Sequence, residues 1–108
     1  MPTEVALSSI ETIDAATTLG HVPTDLYQRI RVLADCRFSS DSTVEITLVL
    51  EEAGGAPGRL DRYLLDPGES VQRVYEVPGT GLVVQAQPVH PGSCPIDVWI
   101  WGYKLPGE

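Results

Sequence analysis

The sequence is poor in the side chains from which metal sites and nucleophilic catalytic centres are built. Among its 108 residues there are two histidines, His21 and His90, and each lies close to a proline of a predicted turn. The metal-ligand patterns HxH, CxxC and HExxH are all absent, so neither histidine has a second ligand at a suitable spacing. We therefore predict no catalytic site, no metal and no cofactor, and we expect the protein not to be an enzyme.

Cysteine is equally scarce, and the two residues present are too few to form a disulfide framework. Strand alternation places Cys36 in the core as a small apolar side chain, whereas Cys94 lies in a loop rich in proline and glycine just before the last predicted strand. We expect two reduced thiols in a protein made in the bacterial cytoplasm. A Cys36–Cys94 disulfide is the alternative.

Basic residues are in the minority, since 7 Lys and Arg stand against 15 Asp and Glu and the formal net charge is −8. Such a surface repels a phosphate backbone, which argues against nucleic acid as a partner. The acidic residues Asp61, Asp66 and Glu69 offer oxygen ligands for Ca²⁺, but they lack the dense alternation of Asp, Asn and Gly found in calcium loops. We expect them to form a solvated turn.

Long apolar stretches are also missing. No run approaches the length of a transmembrane helix, and residues 1–6 lack both the basic region and the continuous apolar core of a secretory signal, so we expect no membrane partner. In contrast, hydrophobic residues make up 43% of the chain and charged residues 20%, values that are ordinary for a globular protein. The length is that of a single domain with a modest core.

What the sequence does contain is the two-residue alternation of half-buried β-strands, and no segment has a sustained helical period. From Tyr27 onward, one face of the first long strand carries Ile30, Val32, Ala34, Cys36 and Phe38. After the polar interval 39–42 the alternation resumes, and the inward residues are Val44, Ile46, Leu48 and Leu50. We predict that these two runs pair as an antiparallel hairpin.

Turn signals recur along the chain at intervals of roughly 8 to 12 residues, which is the spacing expected of an all-β sandwich or barrel. One of them, Asp66-Pro67-Gly68-Glu69, predicts a type II turn with Gly68 at the position that needs a positive φ. We predict an antiparallel, jelly-roll-like β-sandwich of six to eight strands, formed by residues 26–108. Residues 1–25 are predicted to be an extended N-terminal leader, which either pairs within its own chain or lies along a neighbouring subunit as an arm.

The last predicted strand, 96–104, is apolar on both of its faces. One face carries Ile96, Val98 and Ile100, and the other carries Trp99, Trp101 and Tyr103. Two interpretations of this aromatic stripe remain open: it lies outside as a protein interface or a carbohydrate platform, or it faces the core. In both cases one apolar face needs cover, and another subunit is the simplest source of it.

A second candidate surface is basic. Arg29, Arg31 and Arg37 fall on the same side of the long predicted strand, and they are three of the 7 basic residues. The favoured interpretation pairs them with Asp61 or Glu45 across the sheet, and the alternative is an acidic patch on a partner. The candidate interface residues are therefore Trp99, Trp101, Tyr103, Arg29, Arg31 and Arg37.

Several motifs resemble those of small β-sandwich proteins from the particles of tailed bacteriophages. The turn Leu65-Asp66-Pro67-Gly68-Glu69-Ser70 looks like the Leu-x-Pro-Gly-Glu-Ser turn of such proteins. The segment Thr43–Leu48 is similar to their Thr/Val strand, Gly81–Ala86 to their penultimate strand, and Val98–Tyr103 to their closing strand with its glycine. The resemblance spans roughly residues 26–104 and is one of pattern.

The resemblance implies a non-enzymatic component of a virion, made in the cytoplasm of the bacterial host. Its most specific form is a capsid decoration or cement protein that stabilises the shell through oligomeric contacts. A head-fibre, neck or tail accessory protein, or a carbohydrate-binding β-sandwich that uses the aromatic stripe, is the alternative. The implied partners are further copies of the chain, with a trimer favoured, and a major capsid or tail protein.

Overall fold

The computed structural model describes residues 3–24, 27–51, 58–76 and 81–104 of the chain. These residues form eight β-strands. The strands are β1 (Thr3–Ile13), β2 (Thr17–Val22), β3 (Arg29–Cys36), β4 (Val44–Glu51), β5 (Gly58–Leu65), β6 (Ser70–Glu76), β7 (Gly81–Pro88) and β8 (Cys94–Tyr103). The described part of the chain contains no helix with the length and hydrophobicity needed to span a membrane.

The strands form two antiparallel sheets of four strands each. Sheet A has the order β1-β8-β3-β6, and sheet B has the order β2-β7-β4-β5. Of the successive strands only β4 and β5 are neighbours in a sheet, so the other connections cross from one sheet to the other. This nested order is that of a jelly roll, and the predicted all-β antiparallel sandwich is confirmed.

The predicted hairpin of the two central strands is wrong. β3 lies in sheet A between β8 and β6, whereas β4 lies in sheet B between β7 and β5. Each strand has one apolar face, and residues 37–43 turn the chain so that these faces meet across the core instead of lying side by side. Asp41 fixes this corner, because its N–H donates to Ser93 O at 3.0 Å and its carboxylate accepts from Ser93 N at 2.8 Å.

Phe38 is a second correction at the same corner. Its position in the alternation predicts an inward side chain, yet the residue is 88% exposed. The reason is that β3 ends at Cys36, so the two-residue period stops before Phe38 is reached. Parity predicts the direction of a side chain only while the chain stays extended.

The core is built from alternate side chains of both sheets. The interior strands supply most of its fully buried members: Ile30, Val32, Ala34 and Cys36 from β3, Val44, Ile46 and Leu48 from β4, Leu82 and Val84 from β7, and Cys94, Ile96, Val98 and Ile100 from β8. Burial of each large aliphatic side chain contributes roughly 1.5–3 kcal/mol before the entropy cost of ordering it is counted. The aliphatic face of β8 is therefore the inner one, and the aromatic stripe lies on the outside.

The extended N-terminal segment pairs with strands of its own chain. β1 pairs with β8 and β2 pairs with β7, so the segment supplies the outer strand at one edge of each sheet. Ile13, Leu19 and Val22 enter the core from these two strands. Of the two alternatives that the sequence leaves open, the structure has pairing within the chain for residues 3–13 and 17–22.

The Asp66–Glu69 turn has the predicted features. Gly68 has a φ of 90°, and Glu69 N donates to Asp66 O at 2.9 Å. A positive φ of this size favours glycine, because a Cβ would strain the backbone. Gly68 N also donates to Cys36 O at 2.8 Å, which ties the turn between β5 and β6 to the end of β3.

Both cysteines are buried in the core and free. Cys36 lies opposite Ile96 in the register of β3 and β8, and Cys94 precedes Ile96 by two residues on the same inner face. The cysteines are therefore diagonal neighbours, whose Cα atoms are typically about 7–8 Å apart in an antiparallel pair. That spacing is longer than a disulfide usually spans, and burial raises the pKa of the Cys36 thiol.

Tyr27 closes one end of the core by packing on Gly102, which follows Ile100 on the inner face of β8. The Tyr27 hydroxyl donates to Glu4 Oε1 at 2.7 Å, and Lys104 Nζ lies 3.2 Å from the same oxygen. The hydrogen bonds from Tyr27 and Lys104 lower the pKa of Glu4, while burial raises the pKa of Tyr27 to about 12. A Cβ at position 102 would overlap the Tyr27 ring, so this contact requires glycine.

Gly102→Ala should lower the free energy of unfolding by about 1–3 kcal/mol, because the added methyl group must displace the Tyr27 ring. Gly58→Ala is the matched control, since a Cβ at Gly58 meets no atom within 4 Å, and it should change the free energy by less than about 0.5 kcal/mol. Urea unfolding followed by tryptophan fluorescence measures both variants. Equal stability of Gly102→Ala and the wild type would contradict this packing of Tyr27.

Candidate functional site

The outer face of sheet A gathers five of the six candidate interface residues. Because paired residues of neighbouring strands point to the same side, the register of β3 and β8 defines rows across this face. The rows are Arg29–Tyr103, Arg31–Trp101, Leu33–Trp99 and Asp35–Asp97. We call these side chains the aromatic face, and all of them are half-buried.

Trp99 and Trp101 stack against each other on the aromatic face, with ring centroids 6.0 Å apart and planes inclined by 16°. The guanidinium carbon of Arg31 lies 4.5 Å from the centroid of the Trp101 ring. Stacking and the cation–π contact hold three long side chains in one arrangement before any partner binds. Such preorganisation lowers the entropy cost of association.

Exposed aliphatic side chains extend the aromatic face to both edges of sheet A. Val5 of β1 lies opposite Trp101, and Val74 of β6 lies opposite Arg31, so a single row crosses all four strands. Val5 is 52% exposed, Val74 is 55% exposed, and Ile10 further along β1 is 61% exposed. Contiguous apolar surface of this kind marks an interaction site more often than scattered exposed residues do.

The charges of the aromatic face are separated. Arg29 and Arg31 lie at one end, neither forms an ion pair within the described residues, and the Nε atom of each is buried without a hydrogen-bond partner. Asp35 and Asp97 lie directly opposite each other at the other end. Arg37 neutralises Asp97, because its Nε and Nη2 donate to Asp97 Oδ2 at 3.2 and 3.0 Å. The Asp35 side chain makes no hydrogen bond or ion pair with any residue in the described ranges.

The partners predicted for the arginines are wrong. Asp61 lies in β5 and Glu45 in β4, so both belong to the other sheet. Glu45 instead pairs with Arg62 at 2.7 Å on the outside of sheet B. Arg37 lies beyond the end of β3, where the alternation no longer applies, and it reaches the rim of the aromatic face only through Asp97.

Some residues of this surface were not identified from the sequence. Leu33 and Asp97 have the same parity as Arg31 and Trp99, so the alternation contains the signal for them. Val5 and Ile10 are different, because the register of β1 shifts between Val5 and Leu7. The shift moves the outward residues from odd to even positions, and no local pattern marks it.

Sheet B carries a polar groove on its outer side, with a volume of about 260 Å³. Its lining residues are Ala16, Thr17, Thr18, Glu45, Thr47, Gln85, Ala86 and Gln87. Hydroxyl and amide groups predominate, and Glu45 adds a carboxylate whose pKa is lowered by the hydrogen bond from Arg62. Side chains of these types can donate and accept hydrogen bonds with a ligand rich in hydroxyl groups.

His21 and the three acidic residues Asp61, Asp66 and Glu69 make separate contacts. His21 Nε2 lies 2.5 Å from Glu51 Oε1. Glu69 Oε1 accepts from Asp66 N at 2.9 Å within the turn, whereas Asp61 lies apart from both and does not join them in a cluster. Among the residues that the structure describes, no three or more His, Cys, Asp or Glu side chains are grouped as metal ligands.

A chain of hydrogen bonds lies on the side of the sandwich where β5 and β6 form the sheet edges. The hydroxyl groups of Tyr63 and Tyr75 contact each other, and Tyr75 donates to Asp61 Oδ2 at 2.6 Å. Burial raises the pKa of both tyrosines, and the hydrogen bond to Asp61 raises that of Tyr75 further. Both phenols therefore keep their protons in the folded state at pH values at which an unfolded chain loses them.

No protein-family model and no curated protein matches this sequence. Solved structures do match its fold. PirA is 9% identical with a TM-score of 0.69, over 90% of this chain and 95% of PirA. The ligand-free CBM1 of BiXyn10A is 10% identical with a TM-score of 0.50, over 86% of this chain and 62% of that one. A protein of the Bacillus endospore appendages, which form disulfide-linked pili, is 12% identical with a TM-score of 0.50, over 97% of this chain and 92% of that one. At these identities the likeness shows the fold alone.

The free energy of unfolding should fall as the pH rises above about 10, because the folded protein retains protons on Tyr63 and Tyr75 that the unfolded chain releases. Below that pH both states are protonated and this contribution is fully present. Tyr75→Phe should make the alkaline loss shallower, by at most about 1.4 kcal/mol per pH unit, the value for one proton. Urea unfolding at a series of pH values measures the slope, and identical slopes for the two proteins would contradict the assignment.

Proposed function

We propose that the protein is a non-enzymatic structural component of a larger assembly, and that it binds another protein subunit through the aromatic face. The observation that carries this proposal is the row of Val5, Trp101, Arg31 and Val74, which crosses the outside of sheet A from edge to edge. Tryptophan and arginine are enriched at the energetic centres of protein interfaces. A partner surface that covers this row removes its apolar area from water.

Two properties of the surface favour a specific contact over general adhesion. The Trp99–Trp101 stack is ordered in advance, so binding does not have to immobilise it. The net charge of −8 makes copies of the chain repel one another over most of their surface. Arg29 and Arg31 interrupt that repulsion on the aromatic face, which directs association to this side of the molecule.

The most specific form of the proposal is a virion component of a tailed bacteriophage. Its support is the resemblance of the Leu65–Ser70 turn and of the closing strand with Gly102 to such proteins. In that setting, a decoration protein bridges neighbouring capsid subunits and stiffens the shell by binding alone. Head-fibre, neck and tail accessory proteins belong to the same class, and the fold likeness to the Bacillus endospore appendage protein is compatible with a subunit of a fibre.

Virions purified from a lysate of the bacterial host should contain the chain in a fixed number of copies, detected by quantitative mass spectrometry. Trp101→Ala should reduce the virion-bound fraction roughly tenfold or more, because truncation of an aromatic anchor at an interface centre costs about 2 kcal/mol or more. Leu64→Ala is the matched control, since Leu64 is 51% exposed on the outside of sheet B, and it should bind as the wild type does.

Circular dichroism and thermal unfolding show whether both variants keep the wild-type fold. Two results would contradict the proposal: a chain found only in the soluble fraction of the lysate, or a folded Trp101→Ala variant that stays on the virions at the wild-type level.

Carbohydrate binding is the second candidate function, and the polar groove of sheet B favours it. Thr18, Thr47, Gln85 and Gln87 present hydroxyl and amide groups that can pair with sugar hydroxyls. The fold likeness to the CBM1 of BiXyn10A is compatible with this function. The aromatic stripe is the other surface on which a sugar can stack, but its two indole rings face each other and so offer less flat area.

Glycan-array binding distinguishes the two candidate sugar surfaces. Loss of binding in Gln85→Ala, with Trp101→Ala unaffected, points to the groove, and the reverse result points to the aromatic face. Both side chains lie outside the core, so each variant should keep the wild-type fold. A wild-type protein that binds no glycan on the array would contradict the carbohydrate function.

A further inference from the structure

We infer that the partner of the aromatic face is the same face of a second copy of the chain, related by a twofold axis that runs along the Leu33–Trp99 row. This inference rests on the proposed function, because it names the subunit that covers the apolar surface. It predicts a face-to-face dimer in which the outer sides of two A sheets pack together.

The first support is the order of charges along the central strands. The outward residues of β3 run from Arg29 and Arg31 through Leu33 to Asp35, so the positive end and the negative end lie on opposite sides of Leu33. β8 runs in the opposite direction and places Asp97 beside Asp35. Along β3 and β8 the aromatic face therefore has a basic end, an apolar centre and an acidic end, while Glu76 of the edge strand β6 lies opposite Arg29.

The second support is what a twofold axis does with this order. An axis that lies between two stacked sheets and crosses their strands reverses the strand direction of the second copy. The Arg31–Trp101 row of one copy then lies over the Asp35–Asp97 row of the other, and the same contact occurs twice. Stacked sheets are about 10 Å apart, a distance over which an arginine and an aspartate from facing layers can meet.

The third support is the electrostatic imbalance of the single chain. Asp35 and Asp97 are directly opposite each other on neighbouring strands, an arrangement in which like charges are destabilising. Arg37 neutralises Asp97 but not Asp35, whose side chain has no partner within the described residues. The Nε atom of Arg31 is buried without an acceptor. The partner copy supplies an arginine for Asp35 and a carboxylate for Arg31.

The size of the molecule is sufficient for such a contact. The Cα envelope measures 45 × 30 × 16 Å, so the sandwich has a broad face of 45 × 30 Å. A specific interface of standard size buries about 800 Å² on each partner, which this face can accommodate. Contact of one face with the same face of another copy generates a twofold dimer, whereas the trimer implied by the sequence resemblance needs two different surfaces.

Sedimentation velocity tests the dimer directly. The wild type should sediment as a single species whose mass is twice the 11.7 kDa of one chain. Arg31→Glu and Asp35→Arg should each raise the dissociation constant roughly tenfold or more, because each places like charges against each other at both symmetric contacts. The decisive measurement is the mixture: the two variants should form a heterodimer when combined, and the double variant with both substitutions should regain the homodimer.

Arg59→Glu is the matched control, since it makes the same charge change on an exposed residue of β5 in sheet B and should leave the dimer intact. Circular dichroism reports whether Arg31→Glu, which loses its contact with Trp101, still folds. If Arg31→Glu does not fold, Asp35→Arg and Leu33→Glu carry the test instead. Leu33→Glu places a charge on the twofold axis and should also give monomers.

A wild type that sediments as a monomer or a trimer, or a mixture of variants that fails to associate, would overturn the inference. The proposed function has a separate outcome. A monomer whose Trp101→Ala variant still loses virion binding would remove the twofold pairing and leave the structural role standing. A dimer that is never found on virions would leave the twofold pairing standing and remove the role as a virion component.

Discussion

The inward apolar faces of the central strands have to cover one another, and the rest of the structure follows from this constraint. β3, β4 and β8 bury every second side chain, and their buried residues fill the space between the two sheets. Because an extended chain alternates, the placement of Val98 and Ile100 in the core forces Trp99 and Trp101 to the outside. The candidate site is thus the outer face of the same strands whose inner faces form the core, and these strands set the spacing of its side chains.

The two ends of the sandwich are closed by different chemistry. At one end, the Asp66–Glu69 turn is hydrogen-bonded to Cys36 at the end of β3, and the corner 37–43 is hydrogen-bonded to Ser93 in the loop before β8. At the other end Tyr27 lies on Gly102, and a cluster of charged and phenolic groups holds the ring in place. The contacts at both ends therefore involve β8 and residues at or next to the ends of β3, the two strands whose pairing defines the rows of the aromatic face.

Local patterns predict the faces of the strands but not their partners. The alternation and the Asp-Pro-Gly-Glu turn each depend on a few consecutive residues, so the inner face of β3 and the positive φ of Gly68 can be derived from the sequence. The pairing of β3 with β8 depends on energies summed over two sheets, which no short window contains. The exposure of Phe38 and the register shift between Val5 and Leu7 are missed for the same reason. Each depends on where a strand stops or shifts its pairing with a strand that is distant in sequence.

The place of β8 in sheet A has a consequence for biosynthesis. β8 follows the other seven strands in the chain, yet it lies between β1 and β3 in the interior of the sheet. Until β8 has left the ribosome, the facing edges of β1 and β3 have no strand to pair with. Sheet A therefore cannot form strand by strand as the chain is translated. The domain therefore completes its folding only after this strand has emerged, through pairings between distant segments that form slowly. The indole stack of the aromatic face is created in that same final step.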